Sequence, residues 1–597
     1  MVVPGAGFRL PHAAGRRRPR RVRDRAGGRR RDLRPLRRPA GGGPLPHRLR
    51  QAPLHDPDPC PGLHLVLRDG AGGGDGRLRA ADLHPRARPD RPALVAEAAQ
   101  EPTDRLRPHG GTGGRAAGRR PGDDNTRDDP ADDPVRRLDL ARRARRPAGR
   151  GQTERGVYDL GVVQIYSADW VLPVEGPPIR DGAVAVEDGR IAAVGAAEEL
   201  GAGERFESAA IVPGFVNAHT HLEYAVYAGF GDGLGDFAEW IALHVERKGR
   251  IGWDEFLAIA RLGAAECLAS GITAVGDCSY SGAAASACDE LGLRAIVYLE
   301  VFGAEAESAL ARFERLRLGV ADVFSDRVQL GVSPHAPYTV SLDVYRACAE
   351  LGLPVQTHLS ESRSELRYLE DGSGPWGGYA ELLVAPSGTT GPRMLAGAGL
   401  LGPGWSAAHC VEVEADEIDL LAASGAGVVH CPRSNGLLGC GAAPVSAMRA
   451  AGVRIGLGTD SPASAPSFDA FEEMRTALVA ARSRERSPEA LSASEALELA
   501  TLGSARALGL EAEIGSIAVG KRADLTVVSL EESAYHPVED PAAAVVLGGS
   551  PDRVITTLVD GEARYERGGF EWHELRRRAA SARSLMLAAP PSAVAGS

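Results

Sequence analysis

The feature that most restricts the fold of this chain is a regular alternation between residues 210 and 508. Eight short apolar runs, at 210–217, 273–277, 294–300, 329–333, 355–358, 406–409, 427–430 and 454–458, are separated by segments with a helical apolar period. The clearest helical segments are 254–269, 341–351, 415–423 and 468–482, and a last one falls at 492–508. Short apolar runs bounded by helices are expected in a parallel sheet covered on both faces. Eight such strands close a (β/α)8 barrel, predicted here over 212–511.

Strand-like segments flank this region. Before it lie 162–166, 183–187 and 190–194, the last two joined at Asp188-Gly189. After it come 525–529, 545–547, 553–559 and 562–565, punctuated by Gly515, Gly520 and Asp560-Gly561. Neither group is long enough for a core of its own. Segments 157–211 and 512–570 are therefore expected to pair into one small β-sandwich domain, with 571–597 as a C-terminal helix or tail.

Composition matters for what precedes them. Residues 1–150 hold 35 arginines against 18 acids, whereas 151–597 are acidic, with 61 acids against 34 Lys and Arg. The first part has no Ile, Lys, Ser, Tyr or Trp and no persistent apolar period. Segment 1–155 is thus read as an Arg/Gly/Pro-rich extension without a core, either disordered or translated from upstream of the true start. A nucleic-acid arm ranks below both. After Met1 the next methionine is Met394, so a start near Val157 would use another codon. No run approaches the 18 or so apolar residues of a membrane span, and no secretory signal is visible. The eight cysteines form no CxxC pair, which suits buried free thiols and a cytoplasmic setting.

Chemistry in a barrel of this type sits where the strands end. Six of the nine histidines after residue 150 fall there: His219 and His221 after the first run, then His335, His358, His409 and His430. Asp460 lies just past the eighth run. One such histidine would usually be a satisfied core residue; six on one rim are not explained that way. The His219-Thr-His221 spacing puts two imidazoles on one side of a strand. With a third histidine and a carboxylate they suit a divalent transition metal with an open position for water. Glu361, three residues after His358, is placed for proton transfer, although an ordinary helix N-terminal Glu would look the same.

These residues lie in motifs that resemble the amidohydrolase superfamily, in its mononuclear deaminase and chlorohydrolase branch. The matching pieces are Val212-Pro-Gly-Phe-Val-Asn-Ala-His-Thr-His221, Ser333-Pro-His-Ala-Pro-Tyr338, Gln356-Thr-His-Leu-Ser-Glu361, Ala408-His409, Val429-His-Cys-Pro-Arg-Ser-Asn435, Gly458-Thr-Asp-Ser461 and Gly515-Ser-Ile-Ala-Val-Gly-Lys-Arg-Ala-Asp524. The resemblance implies that His219, His221, His358 and Asp460 hold one divalent metal per chain, zinc ahead of iron. It gives Glu361 the proton shuttle, His409 the orientation of the attacking water, Asp460 a second role as base, and His335 a substrate contact. The chain has only two lysines, Lys248 and Lys521, neither on the fourth strand, so no lysine is available there to bridge two metals.

The implied activity is hydrolytic deamination, in which metal-activated water attacks an amino-bearing ring carbon and ammonia leaves. Gly235-Asp-Phe-Ala-Glu-Trp-Ile241, His219-Thr-His-Leu-Glu223 and Gly372-Ser-Gly-Pro375 are similar to deaminases of 6-amino-6-deoxyfutalosine, an adenine nucleoside of menaquinone biosynthesis. S-adenosylhomocysteine or methylthioadenosine deamination is the alternative, followed by guanine deamination or triazine chlorohydrolysis. Glu223, Trp240 and Arg433 join His335 as expected substrate contacts, Arg433 toward a substrate carboxylate. A catalytically dead barrel scaffold is the non-enzyme reading, disfavoured because every ligand position is filled. The expected partner is a small molecule rather than a membrane or nucleic acid, and a homodimer is compatible with the sequence.

Overall fold

The computed structural model describes residues 163–588, apart from 236, 377–379, 532–533 and 570. The readings given for 1–155 lie outside the described residues, as does the chain beyond 588. No helix among the described residues is long and apolar enough to cross a membrane.

Four strands open the described chain: β1 (Gln164–Val171), β2 (Ile179–Glu187), β3 (Arg190–Ala196) and β4 (Glu204–Pro213). Eight parallel strands follow: β5 (Phe215–Thr220), β6 (Ile272–Ser279), β7 (Arg294–Val301), β8 (Val328–Pro334), β9 (Val355–Leu359), β10 (Trp405–His409), β11 (Gly427–His430) and β12 (Arg454–Leu457). They pair in chain order, and a parallel bridge between Thr220 and Asp460 brings the two ends of the sheet together. Asp460 N donates to His219 O at 3.0 Å across that seam. Every residue of β5, β6 and β7 is buried, which is why these strands read as unbroken apolar runs rather than as alternation.

Three late strands, β13 (Leu525–Ser529), β14 (Val554–Val559) and β15 (Glu562–Glu566), return to the first four. The order β15-β14-β13-β4-β1-β2-β3 makes one seven-stranded sheet from both flanks. β4 lies at the join, parallel to β1 and antiparallel to β13. Val184, Ile191, Ile211, Leu525 and Val527 form its apolar core.

Two expectations are corrected. The run at 210–217 is two strands in different sheets, because Gly214 ends β4 and releases β5 into the barrel. A Cβ at Gly214 would stand 2.1 Å from Thr273 Oγ1, so the two segments approach too closely for any other residue. Apolar character continues through the break, and periodicity does not register it. The segment at 545–547 is not a strand but part of helix Pro541–Gly548, whose start is fixed by Pro541 and by the Asp540 carboxylate accepting from Ala543 N at 3.0 Å.

Candidate functional site

At the C-terminal rim, β5 carries His219 and delivers His221, β9 carries His358, β10 ends on His409, and Asp460 follows β12. His219, His221 and His358 present ring nitrogens within 4.8 Å of one another, and Glu361, His409 and Asp460 form a second group by the same measure. His219 Nε2 and His221 Nε2 lie 3.8 and 3.6 Å from Asp460 Oδ1. His358 Nε2 is 3.4 Å from His221 Nε2, and His409 Nε2 is 3.7 Å from Glu361 Oε1.

The surroundings fix which atoms face inward. Nδ1 of His219 meets Gln356 Oε1 at 2.7 Å, that of His221 meets Cys278 O at 2.8 Å, and that of His358 meets His335 O at 2.8 Å. His409 Nδ1 meets Asn435 Oδ1 at 2.9 Å. Asp460 Oδ2 accepts from Ser434 Oγ and Ser464 Oγ at 2.6 and 2.7 Å, leaving Oδ1 toward the histidines. Outer acceptors of this kind set imidazole tautomers so that Nε2 carries the lone pair. His219 Nε2 and His409 Nε2 are buried without a hydrogen-bond partner.

Electrostatics agree with this orientation. Burial pulls His219, His358 and His409 down to about 4 and pushes His221 well below its usual value, so the imidazoles are neutral near pH 7. Burial works against ionisation of Asp460, yet His409, His221 and His219 hold it well below the usual carboxylate range. Glu361 moves the other way: burial, then Asp460 and Glu365, raise its carboxyl well above that range. Neutral nitrogens, an ionised carboxylate and orphaned inward atoms fit a divalent transition metal. Ser360, His409 and Asp460 have φ of 50°, 75° and 57°, in the left-handed region that non-glycine residues rarely adopt.

A cavity of about 330 Å³ opens on His221, His358, Glu361 and Asp460. His335 and Trp240, both expected substrate contacts, are among the residues that line it, and Trp240 Nε1 donates to Ala463 O at 3.3 Å. Two expected contacts are corrected. The Arg433 guanidinium, 6% exposed, is taken up by Glu473 at 2.6 Å, Glu472 at 2.9 Å and Ser467, and it does not line the cavity. Glu223 is fully buried, accepts from Ser279 Oγ, Ser281 N, Ser281 Oγ and Ala284 N, and does not line the cavity. His430, also at a strand end, is buried outside both metal-type groups.

The structure adds residues that the strand-end reading missed. Helix Phe237–Lys248 turns Trp240, His244 and Lys248 into the cavity at four-residue spacing, a helical signal visible in the sequence. Tyr280, Glu300, Phe302 and Arg312 close the far side, and Tyr338 and Trp376 add aromatic wall. Gln356, two residues before His358 on the same strand face, could have been found from the strand period. Asn435 on the short helix Pro432–Leu437 gave no such signal.

Residues 210–564 match the amidohydrolase family. The chain is 35% identical over 418 residues to a 5-methylthioadenosine/S-adenosylhomocysteine deaminase of Symbiobacterium thermophilum, covering 66% of this chain and 92% of that protein. It is 33% identical to a 5'-deoxyadenosine deaminase of Methanothermobacter thermautotrophicus, covering 66% and 91%. Among solved structures, an adenosine deaminase from Xanthomonas campestris with bound zinc superposes with a TM-score of 0.64 at 29% identity, over 71% of this chain and 98% of that one.

Proposed function

This chain belongs to the amidohydrolase family, and from that premise we propose that it is a hydrolytic deaminase of adenine nucleosides substituted at the 5' position. The observation that carries the reading is the convergence of His219, His221, His358 and Asp460 with Glu361 and His409 at one end of the cavity. The names of the relatives support the substrate class and put methylthioadenosine and S-adenosylhomocysteine ahead of 6-amino-6-deoxyfutalosine.

In this reading His219, His221, His358 and Asp460 hold one divalent ion per chain, zinc ahead of iron. Such an ion, when bound, supplies Lewis acidity and brings the pKa of a water toward neutrality. The protein's own groups move the protons. Asp460 stays ionised and accepts one from the attacking water. Glu361, protonated near neutral pH, gives its proton to the ring nitrogen beside the attacked carbon, so no full negative charge develops there. His409, fixed by Asn435, aims the Nε2 lone pair at the attacking water and orients it by accepting a hydrogen bond from it. Asp460 passes the proton it took to the amino group, Glu361 takes one back from the added hydroxyl as the carbonyl forms, and the C–N bond breaks with release of ammonia. Tyr338 and Trp376 wall the cavity, and a wall of this kind excludes bulk water and gives the base apolar contact.

The test is ammonia release from adenosine, 5'-deoxyadenosine, methylthioadenosine, S-adenosylhomocysteine, 6-amino-6-deoxyfutalosine, guanine and a chlorotriazine at one pH. An adenine nucleoside is expected to have the highest kcat/KM. Preference for guanine or the triazine would reject the reading.

A further inference from the structure

The segment that carries Glu361 leaves β9 through Ser360, whose φ of 50° bends the chain before helix Arg363–Asp371. A non-glycine residue holds that conformation only where its surroundings fix it. Here the backbone is held from both sides. Ser360 O accepts from Val411 N at 3.0 Å and Glu412 N at 2.9 Å, and Leu359 O accepts from Cys410 N at 3.0 Å. On the other side, Ser360 N donates to Glu365 Oε1 at 2.9 Å, and Glu361 N donates to Glu365 Oε2 at 2.7 Å. Residues 410–412 follow His409 directly, so the first set of bonds ties the loop of Glu361 to the loop of His409.

Glu365 is a costly group to place there. It is the third residue of its helix, where a Glu ordinarily serves the N-cap N–H. This one reaches the two residues before the cap, while Ser362 Oγ accepts from its own N–H at 3.2 Å. Glu365 is fully buried, and among the described residues no Lys, Arg or His forms an ion pair with it. Burial pushes its carboxyl up to about 7, against the pull of the N–H groups it accepts from. A buried carboxylate without a cation is unfavourable, and a helix start does not require one, since Ser, Thr or Asn serve. What a Glu carboxylate adds at this reach is two acceptor oxygens for two successive N–H groups, with no donor of its own to oppose them.

We propose that Glu365 is a positioning residue for proton transfer: by accepting from the main-chain N–H groups of Ser360 and Glu361 together, it sets the backbone from which the Glu361 carboxyl reaches the reacting atoms. The proposal rests on the deaminase reading, in which Glu361 carries the protons. Glu361, His409 and Asp460 present polar atoms within 4.8 Å of one another, so a turn of the peptide at 360–361 moves the carboxyl relative to both partners. Proton transfer needs heavy atoms within hydrogen-bond reach, and a misplacement of about 1 Å costs on the order of 10²-fold in rate. Glu365 does not line the cavity, so its effect runs through Glu361.

The experiment measures kcat, KM and metal content for the wild-type chain, Glu365→Gln, Glu365→Ala, Glu361→Gln and the double variant Glu361→Gln with Glu365→Gln. The substrate is methylthioadenosine, or 5'-deoxyadenosine where that is turned over faster. Glu365→Gln keeps the volume and one acceptor oxygen, and is expected to lower kcat by about 10- to 100-fold with KM and metal content near wild type. Glu365→Ala, with no acceptor, should lower kcat further. The double variant should be no slower than Glu361→Gln, because a residue that acts through the Glu361 proton then has nothing left to position. A general loosening of the rim would instead slow both backgrounds alike or release metal. Equal losses in the two backgrounds, loss of metal in Glu365→Gln, or an unchanged kcat in that variant would overturn the proposal while leaving Glu361 and adenine deamination standing. Glu365→Gln decides the matter if Glu365→Ala fails to fold. A loss below about tenfold in Glu361→Gln alone would overturn the proton-carrier role and this proposal with it. Ammonia from none of the adenine nucleosides would overturn the deaminase reading as well.

Discussion

At the start of the barrel strands, the Arg294 guanidinium donates to Asp524 at 2.8 and 3.0 Å and to Asp560 at 2.6 Å, and Arg522 meets Asp560 at 3.0 Å. At the other end of the same barrel, buried imidazoles and carboxyls converge with atoms of His219 and His409 left unpartnered. Both regions are buried and rich in charge, yet one is internally satisfied and the other is not. The difference teaches how to separate a structural polar cluster from a functional one: partner accounting distinguishes them where burial does not. The saturated cluster ties the flanking sheet to the barrel. The unsatisfied one awaits a ligand.

The largest effect should come from breaking the unsatisfied end at its proton carrier. Glu361→Gln keeps the shape and the four metal-type residues but has no proton to give. Groups in this role contribute about 10²–10⁴ in rate, so kcat should fall by that factor while metal content stays at one equivalent. A loss below tenfold would remove Glu361 from the chemistry. Asp460→Ala should instead lose metal and activity together, as measured by metal analysis of the purified variant.

The saturated end should respond in the opposite currency. Arg294→Met leaves Asp524 and Asp560 facing each other without their buried cation. Removing one partner of a buried pair costs about 3–5 kcal/mol. Denaturant unfolding should show that loss, with kcat of the folded fraction unchanged. A change in kcat with stability preserved would mean that the two ends are not independent.

Much of this contrast could be read from residue order, and the reason is physical. Strand ends in a barrel share one rim, so His219, His221, His358, His409 and Asp460 were placed together by topology alone. What the sequence did not disclose were partners brought in from distant elements. Arg433 looked free until Glu472 and Glu473, some forty residues later, took up its guanidinium. Glu223 carried no sign that Ser279 and Ser281 would hold it under the barrel rim, outside the cavity lining. Lys248 was legible only as a charge, because its position depends on a helix laid across the rim. The break at Gly214 was hidden for a related reason: apolar residues run through it, and only the close approach of Thr273 reveals it.

The pH response should separate the two ends further. His219, His358 and His409 are held by burial near 4 rather than 6.5. The unfolded chain therefore binds more protons between those values, so the stability of metal-free protein is whole above 6.5 and is lost as pH falls toward 4. Asp560 is held below its usual 3.8 by Arg294 and Arg522, although burial acts against this; its contribution persists above 3.8 and is lost only at more acid pH. Unfolding free energies of chelator-treated protein across this range should fall in the upper window by on the order of 3 kcal/mol for each of these histidines. A flat response there would show that the imidazoles titrate normally and are not the buried neutral set described.

The smallest effect sharpens the comparison most, because it concerns a residue that is satisfied itself and serves an unsatisfied one. Gln356 accepts from His219 Nδ1 at 2.7 Å and donates through Nε2 to Ala218 O at 3.0 Å and Ser406 Oγ at 2.9 Å. It thereby fixes the ring angle and tautomer that point His219 Nε2 inward. Gln356→Leu keeps the volume and removes the acceptor. Outer partners of metal-binding histidines typically contribute 10–100-fold to affinity, so Kd for zinc, measured by competition with a chelator, should weaken by about that much. Asn435→Ala makes the complementary test, since Asn435 orients His409 rather than a metal-type ligand. That variant should lower kcat while zinc affinity stays near wild type. If Gln356→Leu binds zinc as tightly as the wild type, His219 is oriented by packing alone, and hydrogen-bond partners are not what prepares this rim.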